Sequence, residues 1–145
     1  MGFGAVEVVS GDWLSDRGQL VVTSPAPRVI SLAFTGHLEV PLARRITLSV
    51  DQLLNAGHRP HVFNDWEHMS GYDSPARVLL TEWALRQRTH FASVHLLLGS
   101  RLVAMGVSVA NLAIGGIINP YMDRAAWERT LLRHSAQAAP LAATR

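Results

Sequence analysis

The sequence predicts a single α/β domain: a mixed, mostly parallel β-sheet with an N-terminal antiparallel hairpin and about four α-helices. Three observations carry this expectation. Short β-branched or apolar runs near the N-terminus are separated by the turn-forming stretches Asp16-Arg17-Gly18 and Ser24-Pro25-Ala26-Pro27. After Gly36 the apolar spacing changes to three and four residues. From there helix-like and strand-like segments alternate with short connections, the pattern of right-handed crossovers in a parallel sheet. With 145 residues, 48% of them hydrophobic, the chain can form a core without disulfide or metal staples.

In chain order, Ala5–Val9, Leu20–Thr23 and Val29–Phe34 read as strands. Leu42, Ile46, Val50 and Leu53 then recur on one face of a helix opened by Pro41 and closed by Gly57. His61–Trp66 is the next strand, with His61, Phe63 and Asp65 projecting to one side. Asp73-Ser74-Pro75 reads as a helix start with Ser74 as N-cap, and the helix should run to about His90. Its expected features are a core face bearing Ala76, Leu79, Leu80 and Trp83, and the i,i+4 pairs Asp73–Arg77 and Glu82–Arg86. Ser93–Leu98 is a fully covered strand, Ser100 caps a helix over Leu102–Ala113, and Ile117–Tyr121 is a last short strand. Asp123 caps a final helix bearing Trp127 and Leu131. The domain is expected over 1–133, with a flexible Ala/Pro-rich tail over 134–145.

Composition narrows the chemistry. There is no cysteine, which excludes a disulfide framework, a thiolate nucleophile and Cys-based metal sites. All 13 basic residues are arginine, so Schiff-base and phosphate-loop lysine chemistry are absent as well. With a net charge of only +2 the sequence pI of 9.9 is a poor argument for nucleic-acid binding, and without interleaved aromatics or a known motif none is expected. Met1–Glu7 has no basic region followed by an apolar stretch, so no secretory signal is expected, and Val6 stands where a myristoylation motif needs Ser or Thr. The charge-free run from Leu102 to Ile118 falls short of a membrane span; a cytoplasmic protein without a transmembrane segment is expected.

The segment from His61 to Leu80, a strand carrying Asp65, an acidic turn, an Asp73-Ser74 helix start and an apolar helix, resembles the STAS family of anti-sigma-factor antagonist domains, especially its SpoIIAA-like branch. The stretch Gly99–Ser108 resembles the same branch, and the likeness in element order spans about residues 5–133. It implies a STAS-like fold and a non-enzymatic regulatory module that docks onto a partner protein. In phospho-regulated relatives the cap reads Asp-Ser-Ser-Gly and its second Ser is the acceptor. Here Pro75 occupies that position, so the usual phosphorylation switch is not expected.

Candidate partner-binding residues are therefore Asp65, Tyr72, Asp73, Ser74 and Arg77. The uncharged helix over Leu102–Ala113 offers a second candidate, an apolar interface or ligand surface formed by Leu102, Met105, Val109 and Leu112. It suggests a homodimer or, as the SpoIIAA-like branch is similar in outline to CRAL-TRIO lipid-transfer domains, carriage of a lipid or other small apolar ligand. No catalytic residue, cofactor or metal is expected. The grouping His58, His61, Asp65, Glu67 and His68 lacks a recognised ligand spacing, and Ser70-Gly71-Tyr72-Asp73-Ser74 lacks the glycines of a nucleophile elbow.

Overall fold

The structure is a computed structural model describing residues 10–138. Its elements are β1 (Gly11–Leu14), β2 (Gly18–Ala26), β3 (Val29–Leu38), α1 (Val40–Asn55), β4 (His61–Tyr72), α2 (Ser74–Gln87), β5 (Ser93–Leu98), α3 (Arg101–Ala113), β6 (Ile118–Tyr121) and α4 (Arg124–Ala138). The six strands pair in sequence order. β1, β2 and β3 are antiparallel, and β3 through β6 are parallel. The expected mixed sheet with an antiparallel N-terminal part is therefore present.

Strand order explains the layering. Each parallel connection steps one strand in the same direction, so crossovers of one hand leave their helices on one face. α1, α2 and α3 share that face, where Leu42, Ile46, Val50 and Leu53 pack with Ile30, Leu32, Val62, Leu96 and Val103 in the main core. α4 follows the last strand, is not a crossover, and covers the other face with Trp127 on Val29, Phe63 and Leu97. The two-residue alternation along β3, β4 and β5 divides the faces: even-numbered Ile30, Val62 and Leu96 point one way, odd-numbered Val29, Phe63 and Leu97 the other.

Several boundaries differ from expectation. The predicted strand Ala5–Val9 lies outside the described residues, and the first described strand, β1, arises from Gly11-Asp12-Trp13-Leu14 through pairing with β2. β3 and β4 continue to Leu38 and Tyr72, past the ends that composition suggested. Their pairing carries two register shifts, between Ala33 and Thr35 and between Gly36 and His37, so β4 keeps pairing through what reads as a polar loop. Gly36 sits at φ 99° with the Arg17 carbonyl against it, leaving no space for a Cβ.

The N-cap of α2 is Asp73, not Ser74; Ser74 is the first helical residue and Pro75 follows. Asp73 makes no side-chain cap bond because its carboxylate is engaged elsewhere. Neither Asp73–Arg77 nor Glu82–Arg86 forms an ion pair among the described residues. Leu79 and Trp83 do not sit under the sheet: they are half-buried, packing against the main core from a helix whose neighbours are α1 and α3. Trp83 anchors this layer by donating its indole N–H to Asp51 Oδ1 at 2.8 Å. Ser100 and Asp123 cap as predicted, accepting from the Val103 and Ala125 amides. α4 continues through His134 to Ala138, because His134 packs on aromatic rings of the sheet; 139–145 lie outside the described residues.

Candidate ligand cavity and its surroundings

Between the sheet and the α1–α3 layer lies a cavity of about 110 Å³. That far exceeds the ~10–15 Å³ one water needs and approaches the ~150 Å³ of an engineered apolar cavity that takes benzene. Its existence follows from how α2 is held. α2 rests on α1 and α3 instead of pressing its own large side chains onto the strands, and small residues of α3, Gly106 and Ala110, face the gap. Val62, Trp66, Leu96, Trp83, Val107 and Ile114 form much of the remaining wall.

The lining is mainly apolar, with Asn64, Trp66, Tyr72, Arg77 and Thr81 as its polar residues. Asn64 Oδ1 and Trp66 Nε1 are buried without any hydrogen-bond partner, and both residues line the cavity. The alternation of β4 puts them on this face, since positions 62, 64 and 66 share it. An unpaired buried donor or acceptor costs roughly 1–3 kcal/mol, a cost that any group hydrogen-bonding to these two atoms would relieve. Trp127 Nε1 and Ser135 Oγ are also unpaired, but neither lines this cavity.

The five residues expected to meet a partner separate into four settings. Tyr72 and Arg77 line the cavity. Asp73 lies at the strand end, where its Oδ1 is 2.7 Å from His37 Nε2 and accepts from Arg17 Nη2 at 3.3 Å. The His37 hydrogen bond, joined by Arg17, holds the Asp73 carboxyl below its ordinary range. Ser74 is exposed. Asp65 faces α4 instead, accepting from Arg124 Nη2 at 2.6 Å while Arg124 Nε donates to Glu67 at 2.7 Å. These carboxylates raise the Arg124 pKa further and fix the start of α4. Asp65 is thus not part of one surface with Tyr72–Arg77.

The second expected surface is coherent. Leu102, Met105, Val109 and Leu112 are 63, 67, 63 and 84% exposed. They recur at spacings of three and four along α3, whose opposite side buries Val103 and Val107. Among the described residues no helix is long and apolar enough to cross a membrane.

On the α4 face, sequence reading missed a histidine network. Ser93 Oγ lies 2.7 Å from His61 Nδ1 and 2.8 Å from His95 Nε2; His95 Nδ1 lies 3.0 Å from the Tyr121 hydroxyl. Tyr121 donates to Thr130, and Thr130 to the Ala126 carbonyl. One direction satisfies every group: His61 donates to Ser93, Ser93 to His95 Nε2, and His95 Nδ1 to Tyr121. That direction requires neutral His95. Burial, with His134, His61 and Arg133 nearby, lowers its pKa to about 4. Its ring stacks on Phe63 at 4.4 Å. The signal was only the even spacing of His61, Ser93 and His95 on adjacent strands, which has no meaning until β4 and β5 are paired. Among the described residues no three His, Asp or Glu side chains converge to hold a metal.

A sequential six-stranded sheet with three crossover helices on one face and a closing helix on the other defines the class: a small α/β domain of SpoIIAA-like fold. Among solved structures the chain is similar to an uncharacterised DUF3478-family protein with a SpoIIAA-like fold from Shewanella loihica PV-4. The TM-score is 0.53 at 16% identity, over 89% of this chain and 94% of that one. No family model matches the chain, and no curated protein matches it in sequence.

Proposed function

We propose that the protein is a non-enzymatic binding module that takes a small, mainly apolar molecule, carrying one hydrogen-bond donor and one acceptor, into the cavity beneath α2 and α3. The observation that carries this reading is the pair of buried, unpartnered atoms, Asn64 Oδ1 and Trp66 Nε1, in a mainly apolar wall. A ligand donor satisfies the first and a ligand acceptor the second. Burial of the ligand's remaining surface supplies the bulk of the affinity. Trp66 and Trp83 in the wall make binding visible by intrinsic fluorescence.

The test is a titration with phenol and with toluene, which lacks the hydroxyl. Phenol is expected to bind more tightly by roughly tenfold, the worth of relieving one unpaired group. Asn64→Leu should erase that preference, and Ala110→Leu, which fills the cavity, should abolish both responses while the protein stays folded. If neither compound changes the fluorescence, or if Ala110→Leu binds both as before, the reading fails. Native mass spectrometry of the purified chain shows directly whether a small molecule accompanies it.

A second reading, a STAS-like regulatory interaction module that self-associates, is favoured by the exposed apolar stripe on α3. The two readings share a helix: α3 lines the cavity with one side and offers the stripe with the other, so a ligand that shifts α3 also shifts the docking face.

A further inference from the structure

On the opposite side of the sheet, the end of α4 and the Pro27-Arg28 turn enclose a crevice of about 260 Å³. Arg28, Arg59, His61, His134 and Gln137 line it, and no lining residue is acidic. We propose that this crevice is a binding site for a tetrahedral oxyanion, specifically the phosphate of a small phosphomonoester.

Charge supplies the first argument. Neither Arg28 nor Arg59 forms an ion pair among the described residues; Arg59 reaches only the Phe91 carbonyl, at 3.5 Å. Among the described residues Arg17 and Arg124 are the arginines held between carboxylates; what sets Arg28 and Arg59 apart from the other arginines is that both line one crevice with two histidines. The two histidines stack on each other at 4.3 Å between centroids. Both are shifted toward the neutral form, His61 by burial, His134 and Arg28, and His134 by burial and Arg133. A positive field with no counter-charge is what an anion would relieve. Two guanidinium forks offer planar sets of N–H donors, and each imidazole becomes a further donor when protonated. A dianionic phosphate uses more of these donors than a carboxylate, and the crevice is larger than inorganic phosphate alone requires.

Backbone strain supplies the second, independent argument. Arg28 sits at φ 63°, the one non-glycine residue in the left-handed region among the described residues. A turn position of that conformation favours Gly or Asn, so an arginine there is held at a cost. Its carbonyl accepts the His61 amide at 2.8 Å, tying the strained residue to the strand that carries one of the histidines.

The test follows His61 and His134 ring resonances during titration with inorganic phosphate and with phenyl phosphate at constant ionic strength, near the ordinary histidine pKa. Both should give saturable shifts at these rings, phenyl phosphate at lower concentration. Arg28→Gly should raise the melting temperature, because glycine relieves the strained φ, yet weaken phenyl phosphate binding by at least roughly tenfold. Arg59→Gln should weaken it comparably, and Arg44→Gln, an exposed site on α1, should leave it unchanged. The proposal is overturned if neither anion shifts the rings, if Arg28→Gly and Arg59→Gln bind as the wild type does, or if a DNA duplex occupies the crevice more tightly than phenyl phosphate.

Discussion

Gly106 of α3 lies directly against the Tyr72 hydroxyl, so closely that a Cβ at position 106 would collide with it. Two elements far apart in sequence thereby set the depth at which α3 sits over the cavity that both residues line.

Replacing Gly106 by Ala sets a helix-propensity gain of about 1 kcal/mol against an overpacking cost of about 1–3 kcal/mol. The net expectation is a loss of about 1 kcal/mol and weaker phenol binding, as Tyr72 or α3 is displaced. Tyr72→Phe, which removes the oxygen but leaves the ring carbon Cζ 2.8 Å from the Cβ position, should recover part of both losses in the double variant. Additive effects of the two substitutions in chemical denaturation would show that the residues are uncoupled.

Acid should destabilise the protein through the α4 face. His95 has a folded pKa of about 4 against an ordinary 6.5, and His61 and His134 are shifted the same way. The unfolded chain binds the protons first, so stability is fully present above about pH 6.5 and is lost as pH falls toward 4, by about 3 kcal/mol for His95 alone. Denaturation midpoints measured from pH 7.5 to 4 should fall in that window. His95→Phe should flatten the dependence; an unchanged slope in that variant would assign it to other groups.

The start of α2 separates two neighbouring residues by role. Ser74 is exposed and does not cap, so Ser74→Ala should change stability by no more than about 0.5 kcal/mol. Asp73→Asn, which removes the charged acceptor shared by His37 and Arg17, should lower the melting temperature measurably. A larger loss for Ser74→Ala than for Asp73→Asn would contradict this geometry. Because Pro75 stands where phospho-regulated STAS domains carry the acceptor serine, incubation with a cognate Ser/Thr kinase should leave residues 73–77 unmodified, which peptide mass mapping checks.

Val109→Glu places a charge on the exposed stripe of α3. The variant should fold with a melting temperature close to wild type, since the position is open to water. Under the dimer reading, sedimentation should show wild-type dimers and Val109→Glu monomers. Wild-type monomers at micromolar concentration would remove self-association as the use of this stripe.

The sequence by itself determined what local physics governs. Leu42, Ile46, Val50 and Leu53 announce a helix because their spacing matches one turn. Ser100 and Asp123 announce caps because each needs only the next turn's amides. The alternating faces of His61–Trp66 follow from the pleat, and the apolar outer stripe of α3 from the absence of charge. Tertiary structure decided what depends on distant partners. β4 extends through a polar stretch because β3 pairs with it past two register shifts, and Asp73 stands at the N-cap position without a side-chain cap bond because His37 of β3 and Arg17 of the β1–β2 turn occupy its carboxylate. The cavity and its open pair, Asn64 and Trp66, exist because α2 is supported by two helices rather than by the sheet. The His61–Ser93–His95 network and the Arg28 crevice likewise join residues some thirty or more positions apart, and no periodicity within one segment encodes which strands become neighbours.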